Sequence, residues 1–419
     1  MSVPPPTTAA TPSSSPLHGV RVIDLTTTFM GPYCTLLLGQ MGADVVKVEA
    51  PEGDIVRHIG PERNAGMGTI FLNANHGKRS IALDLKDGRG RQVMDRLLGD
   101  ADIFVTNMRP RAVAALDLGF DRLSTLNPRL VYCTLTGFGS AGPYRDFPAY
   151  DDVIQAVSGL AVTQGDLGPP AYVRTPIADK VSGLMGLAGV LAALVARNVT
   201  GTGQAVEVPM FETMAEFMLL DQLGGLVFDP PAGPPGYPRM ASPYRKPYRT
   251  QDGYLGVVVY TDRQWRSFFE LVGHPELADD PRFRSISGRT KNIDELYQLV
   301  EDKLAERSNT EWMDILSGLN IPCIPVLSVS DLLEDPHLDA VDFFQRVDHP
   351  TEGLLRLPRL PISFSAAQLE PGAPAPRLGE HGPALAYELG YSEGEVDELI
   401  DLGVLGAGAA SEASGKTRS

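Results

Sequence analysis

Apolar runs of strand length alternate with stretches of helix length through the first third of the chain. Val20–Leu25, Asp44–Glu49, Ser80–Leu85, Asp102–Val105 and Leu130–Leu135 read as strands. Gly31-Pro32 opens a helix over Tyr33–Met41, and a second helix runs from about Asp87 to Leu98. Strands alternating with helices predict parallel βαβ units with right-handed crossovers.

The texture changes after Tyr150. Asp152–Leu160 is apolar and helical, and Thr175–Arg197 is a long helix crowded with Gly and Ala, which permits close packing. A Thr-Gly turn at 200–203 leads to a strand at Gln204–Pro209 and a helix at Met210–Leu226. Residues 229–247 are rich in Pro and Gly and read as a linker. A smaller α/β segment follows, with a strand at Tyr254–Val259 and helices near Asp262–Val272, Ile293–Glu306 and Thr310–Ser317. Asp335-Pro336 and the Pro-rich stretch 358–376 mark a second crossing, and Gly379–Leu402 is helical.

These signals predict an α/β protein. Its larger domain is a Rossmann-like open parallel sheet built from both chain ends, and a smaller α/β domain is inserted. The predicted divisions are a disordered leader 1–16, large domain 17–228, linker and small domain 229–330, return to the large domain 331–405, and a disordered tail 406–419.

Composition narrows the functions available. Of 419 residues, 43% are hydrophobic and 21% charged, which suits a packed core. Lys+Arg number 36 and Asp+Glu 52, a net charge of −16 that argues against nucleic acid or an anionic membrane as partner. Three dispersed cysteines argue for a reducing compartment rather than a disulfide framework. The leader has no basic cluster or apolar run, and Leu184–Ala196 is shorter than the roughly 20 residues a membrane span needs. The expectation is a cytoplasmic protein.

In an open parallel sheet, ligands bind beyond the carboxyl ends of the strands. The loop after the first strand, TTTFMGP, lacks G-x-G-x-x-G, and the chain has no Walker loop, so a dinucleotide or nucleoside triphosphate site is not expected. The seven histidines have no ligand-like spacing, so no metal is expected. Lys86 and Arg109 follow strand ends, where they are either phosphate contacts or solvated surface charges. Lys78 and Arg79 belong to the opposite end of their strand and read as structural or solvent-facing.

Asp179 lies in the first turn of the Gly/Ala helix, in an apolar stretch. It is either a nucleophile held ionised by the helix amino end or a simple complement to the helix dipole. Asp151 and Asp152 are adjacent, so at most one faces a site. Cys34, with no nearby His, reads as a core residue.

Taken in order, ten segments carry a resemblance over most of the chain. They are LHGVRVIDLT (17–26), LGQMGADVVKVEAPEGD (38–54), NHGKRSIALDLK (75–86), VTNMRP (105–110), LNPRLVYCTLTGFG (126–139), YDDVIQAVSG (150–159), IADKVSG (177–183), GTGQAVEVPMFE (201–212), DGYLGVVV (252–259) and LGEH (378–381). With them the chain resembles the class III CoA-transferases, the group of formyl-CoA transferase, carnitine CoA-transferase and the α-methylacyl-CoA racemases.

The resemblance implies two subunits interlocked as a homodimer, an acyl-CoA donor and a carboxylic acid acceptor. Coenzyme A enters as substrate, with no permanently bound cofactor. It implies Asp179 as the catalytic aspartate, and CoA contacts at Phe29, Met30, Leu83, Lys86, Asn107, Met108, Arg109, Tyr150 and Asp151. The implied chemistry runs through aspartyl anhydride and aspartyl-CoA thioester intermediates.

Several positions depart from the family pattern. Racemases carry a His where this chain has Tyr150, and a phenol is a poor base at neutral pH, so transfer is favoured over racemisation. A racemase, or a CoA-binding homologue without turnover, remains the alternative. Thr27 and Phe29 replace more polar residues of relatives, which points to a larger or less polar acyl group than formate or oxalate. Asp117 replaces a family arginine, for which Arg111 is the candidate substitute. CoA is polyanionic, so a small basic crevice around Lys86 and Arg109 is expected on an acidic surface.

Overall fold

Six strands form one sheet in the order β3-β2-β1-β4-β5-β6, with every pairing parallel. They are β1 (Arg21–Leu25), β2 (Asp44–Glu49), β3 (Arg79–Ala82), β4 (Ile103–Thr106), β5 (Val131–Thr136) and β6 (Ala205–Pro209). This is a computed structural model, and it describes residues 15–165, 168–369 and 372–408. Most of the expected leader and tail, 1–14 and 409–419, lies outside the described residues. The strand order reverses between β1 and β4, which places the ligand crevice at their carboxyl ends.

Both faces of the sheet are buried, as a doubly covered parallel sheet requires. On one face Ile23, Val46, Val48, Ile81, Leu83, Phe104 and Tyr132 join a single apolar core. That core is completed by α3 (Gly88–Gly99), α5 (Phe120–Leu126), α15 (Gly382–Glu388) and α16 (Glu393–Asp401). The opposite face carries Asp24, Lys47, Glu49 and Ser80, all buried. The two-residue strand period thus puts an oily set and a charged set on opposite sides of the same three strands.

The helix α1 (Met30–Gln40) and the 24-residue α8 (Ile177–Thr200) pack on each other, and α8 also packs on β5 and β6. Their contact is close because Gly183 faces α1: a Cβ there would stand 2.8 Å from the Met30 carbonyl oxygen. The run Leu184–Ala196 understates α8. An 18-residue window has mean hydropathy 1.5, enough by length and composition to cross a membrane, and 44% of it is buried in the fold.

The chain divides into two compact units. The first holds the residues up to Ser158, Val173–Ala215 and those from Val341 onward. It includes the sheet, α1, α2 (Thr69–Asn75), α3, α4 (Pro110–Ala115), α5, α6 (Asp151–Val157), α8, α15, α16 and the hairpin of β10 (Phe344–His349) with β11 (Gly353–Pro358). The second holds Gly159–Tyr172 and Glu216–Ala340. It contains α7 (Leu160–Gln164), the antiparallel sheet β7 (Tyr248–Arg249), β8 (Tyr254–Val257) and β9 (Cys323–Pro325), and five helices. Those are α10 (Asp262–Leu271), α11 (Ile286–Lys291), α12 (Ile293–Leu304), α13 (Asn309–Gly318) and α14 (Pro336–Ala340).

Boundaries expected after 228 and 330 fall instead after Ala215 and Ala340, and 159–172 joins the second unit. The first boundary runs inside α9 (Met210–Gln222), whose helical pattern has no break to mark it. The expected helix at Gly379–Leu402 is two helices, separated at Gly390 with φ +84°. The β10–β11 hairpin has no counterpart among the expected elements.

Candidate active site

Three buried ion pairs lie on the charged face of β1–β3. Lys78 Nζ meets Asp24 Oδ2 at 3.0 Å, Lys47 Nζ meets Asp54 Oδ2 at 3.0 Å, and Arg57 Nη2 meets Glu49 Oε1 at 2.7 Å. Hydrogen bonds complete each pair. Lys78 also donates to Thr35, Asn75 and the Pro32 carbonyl, and Ser80 donates to Glu49. Burial works against the charge on Asp24, but Lys78, Lys47 and the hydroxyls of Thr26 and Thr35 outweigh it and hold the carboxyl down at about 2. Burial pulls Lys78 to about 8, which leaves it protonated at neutral pH. Lys78 is therefore structural, whereas Arg79 reaches outward to Asp44 and Glu388.

This network grips the loop after β1. Lys47 donates to the Thr26 carbonyl at 2.8 Å, and the Thr28 N–H donates to Asp54 Oδ1 at 3.2 Å. Between them, Asn107 from the end of β4 makes a reciprocal amide clasp on Thr27, with bonds of 3.0 and 2.9 Å. The clasp crosses the point where the strand order reverses. Thr28 is held at φ +68°, strained for a β-branched residue, and the surrounding bonds are what keep it there.

The loop lines one wall of a cleft of about 300 Å³ at the carboxyl ends of β1–β3. Of the expected contacts, Leu83, Lys86 and Met108 line it, with Thr27, Leu25 and Leu116. Lys86 is the one cation among the lining residues, and Glu52 and Asp84 stand beside it. Of the two cations expected to form a basic crevice, Lys86 lines the cleft, while the nearby Lys47, Arg57 and Lys78 are held in buried pairs. Arg109 is exposed just before α4 and is not among the lining residues. Arg111 is also exposed, and Arg122 pairs with Asp117 at 3.2 Å.

The second cluster is acidic and has no such pairing among the described residues. Asp179, half-buried, sits in the first turn of α8, and its N–H donates to Asp151 Oδ1 at 3.0 Å. Burial first, and then the Asp151 charge, push the Asp179 carboxyl up to about 7. Lost water and a like charge thus both oppose the ionisation that the helix amino end was expected to favour. Asp151 is buried and Asp152 is exposed, so one of the adjacent pair faces inward.

Asp179 is tied to the loop through α1. Gly183, one turn along α8, lies on Met30, which is buried and begins α1 directly after Phe29. Met30 is thus core rather than an open contact. Phe29 is half-buried, and Tyr150 is 70% exposed. Cys34 is buried and its thiol is pushed up by burial, which suits a core residue.

Two features escape sequence reasoning. Gln155 is fully buried and donates to Asp151 Oδ2 at 2.6 Å; its only signal is a polar residue four places after Asp151 in an apolar helix. The buried hydroxyls of Ser182 and Thr136 lack hydrogen-bond partners among the described residues.

Comparison with known proteins sets this geometry in context. The sequence profile of CoA-transferase family III matches residues 17–382. A formyl-CoA:oxalate CoA-transferase of Streptomyces avermitilis is 35% identical over 413 residues, covering 93% of this chain and 99% of that one. A succinyl-CoA:glutarate CoA-transferase of Mus musculus is 30% identical over 396 residues, covering 94% and 91%. A solved structure of a CaiB/BaiF family protein from Brucella suis is similar with TM-score 0.76 and 31% identity, over 90% of this chain and 100% of that one.

Proposed function

Because the chain belongs to CoA-transferase family III, we propose that it moves CoA from an acyl-CoA to a carboxylic acid with Asp179 as nucleophile. The observation that carries this reading is the Asp179 carboxylate, largely stripped of water, beside Asp151 and with no cation bonded to it among the described residues. A desolvated, more basic carboxylate is a better nucleophile once ionised.

In the first step Asp179 attacks the thioester carbonyl; the C–S bond breaks, CoA leaves as thiolate, and a mixed anhydride forms. The thiolate then attacks the aspartyl carbonyl of that anhydride, which releases the donor acid and leaves an aspartyl-CoA thioester. The acceptor carboxylate displaces the thiolate to form a second anhydride. The thiolate finally attacks the acceptor carbonyl and frees Asp179. Each step exchanges one activated acyl bond for another, so the sequence balances without an outside energy source.

The cleft lined by Leu83, Lys86 and Met108 is the proposed CoA groove, with the Lys86 ammonium at a phosphate. Asn107 and Asp151 contribute by fixing backbone, and Phe29 and Tyr150 border the acyl group. Arg109 is the proposed outer cation. The exposure of Tyr150 supports transfer over racemisation, which needs a second base facing the acid. Exposed Leu184, Met185, Val195 and Val199 on α8 support a homodimer, and a monomer mass by light scattering would overturn it. The free thiols of Cys34, Cys133 and Cys323 support a reducing, cytoplasmic setting.

The test is covalent trapping. Incubation with succinyl-CoA or formyl-CoA, followed by hydroxylamine or borohydride, should mark the Asp179 peptide by mass spectrometry. An unmarked Asp179 in a chain that transfers CoA would sink the reading. A panel of donors and acids, starting from the couples named in the relatives, identifies the substrates.

A further inference from the structure

We propose that Gln155 is a positioning residue for the Asp179 carboxylate, acting through Asp151 and through the segment that leads into α8. This role rests on Asp179 being the nucleophile. Gln155 is fully buried, and a buried amide must find partners for both of its ends. Its Oε1 accepts from the Val173 N–H at 2.9 Å. Its Nε2 donates to Asp151 Oδ2 at 2.6 Å and approaches the carbonyls of Val173 and Thr175 at 3.4 and 3.5 Å.

Asp151 is thereby divided. One oxygen faces Gln155, and the other accepts the Asp179 N–H at 3.0 Å. A single amide therefore pins three things together: α6, residues 173–175, and the first turn of α8. Without it the Asp151 carboxylate is free to rotate, and both the backbone seat of Asp179 and the charge beside it shift. Geometry errors of this kind lower the chemical step more than binding, by about a hundredfold for a misplacement of about 1 Å.

The polarity of the Gln155–Asp151 bond can be reversed. Gln155→Glu keeps the acceptor for Val173 but sets two carboxylates face to face. Asp151→Asn keeps an acceptor for Asp179 but sets two amide donors face to face. The double variant restores one donor and one acceptor, leaves the total charge unchanged relative to wild type, and still accepts the Asp179 N–H.

The experiment measures kcat, donor KM, the rate of Asp179 trapping and the melting temperature in the full chain. It uses succinyl-CoA with glutarate, or formyl-CoA with oxalate. Each single variant is expected to lose about tenfold or more in kcat and trapping rate, with donor KM within about twofold. The double variant is expected to recover most of that loss. A double variant no better than the worse single, or losses of kcat that only track melting temperature, would overturn the role. An active wild type with unchanged kcat in Gln155→Glu overturns this role alone. With the couple that the panel identifies, a wild type that transfers CoA but yields no trapped adduct at Asp179 overturns the nucleophile reading and this role with it.

Discussion

Asp24 and Asp179 both lose most of their water, yet one carboxyl is held at about 2 and the other at about 7. Burial is the largest influence on each and acts in the same direction. The difference lies in the neighbours. Asp24 faces Lys78 at 3.0 Å with Lys47 behind it and two hydroxyls, whereas Asp179 faces another carboxylate. On the charged face of the sheet Asp24, Lys47, Glu49, Asp54, Arg57 and Lys78 are paired, whereas Asp179 has no counter-ion among the described residues. On the proposed reading the unpaired acid is the functional one, and the more visible cluster of charges is its foundation.

The strongest way to break this comparison is Asp179→Ala, which should lower kcat by about a thousandfold or more in steady-state transfer assays. Activity within tenfold of wild type would place the nucleophile elsewhere. The scaffold side is tested by Lys78→Met, which leaves Asp24 buried without its partner. It should destabilise the fold by about 3–5 kcal/mol in urea titrations. Replacing Asp24 by Leu in the same chain should recover part of that loss, and no recovery would mean the pair is not the source of the effect.

Gly183→Ala tests the link between the two clusters. Its new Cβ would meet the Met30 carbonyl oxygen at 2.8 Å and Tyr33 Cδ1 at 3.2 Å, so α8 must move. A loss of about 1–3 kcal/mol is expected, with kcat falling more than KM rises.

A smaller effect has the opposite sign. The folded Asp179 carboxyl titrates above its unfolded value of 3.8, so its contribution to stability is intact below about pH 4 and is lost as pH rises through about 7. Asp179→Asn should therefore stabilise the inactive protein by about 1–2 kcal/mol at pH 8 and by little at pH 4, read by denaturant unfolding at both pH values. The finest measurement is the pH profile. Wild-type kcat should reach half its plateau near pH 7, and the residual activity of Asp151→Asn should do so about one unit lower. An unmoved profile would remove Asp151 from the electrostatics of the site.

The strands of the main sheet were legible because each is a short apolar run set off by turn residues. The crevice could then be located from topology alone, and Leu83, Lys86 and Met108 do line it. Asp179 stood out as a lone carboxylate in an apolar helix. The ion pairs were not legible: Lys78 and Asp24 are 54 residues apart, and nothing local marks Lys47 as buried rather than surface. For the same reason Lys47 and Arg57 went unnoticed as the buried cations beneath the cleft. Gln155 was missed because its partners include Val173, 18 residues away.

At Gly183 the spacing of α1 and α8 is set first by backbone, the Met30 carbonyl, with the Tyr33 ring beside it. Thr27 and Phe29, which the proposed reading sets near the acyl group, stand just before that contact rather than within it. On that reading, choice of substrate and aim of the nucleophile rest on adjacent but distinct residues. Substitution at Thr27 or Phe29 is then expected to change the acyl partner while the Gly183–Met30 contact keeps the acid at its station.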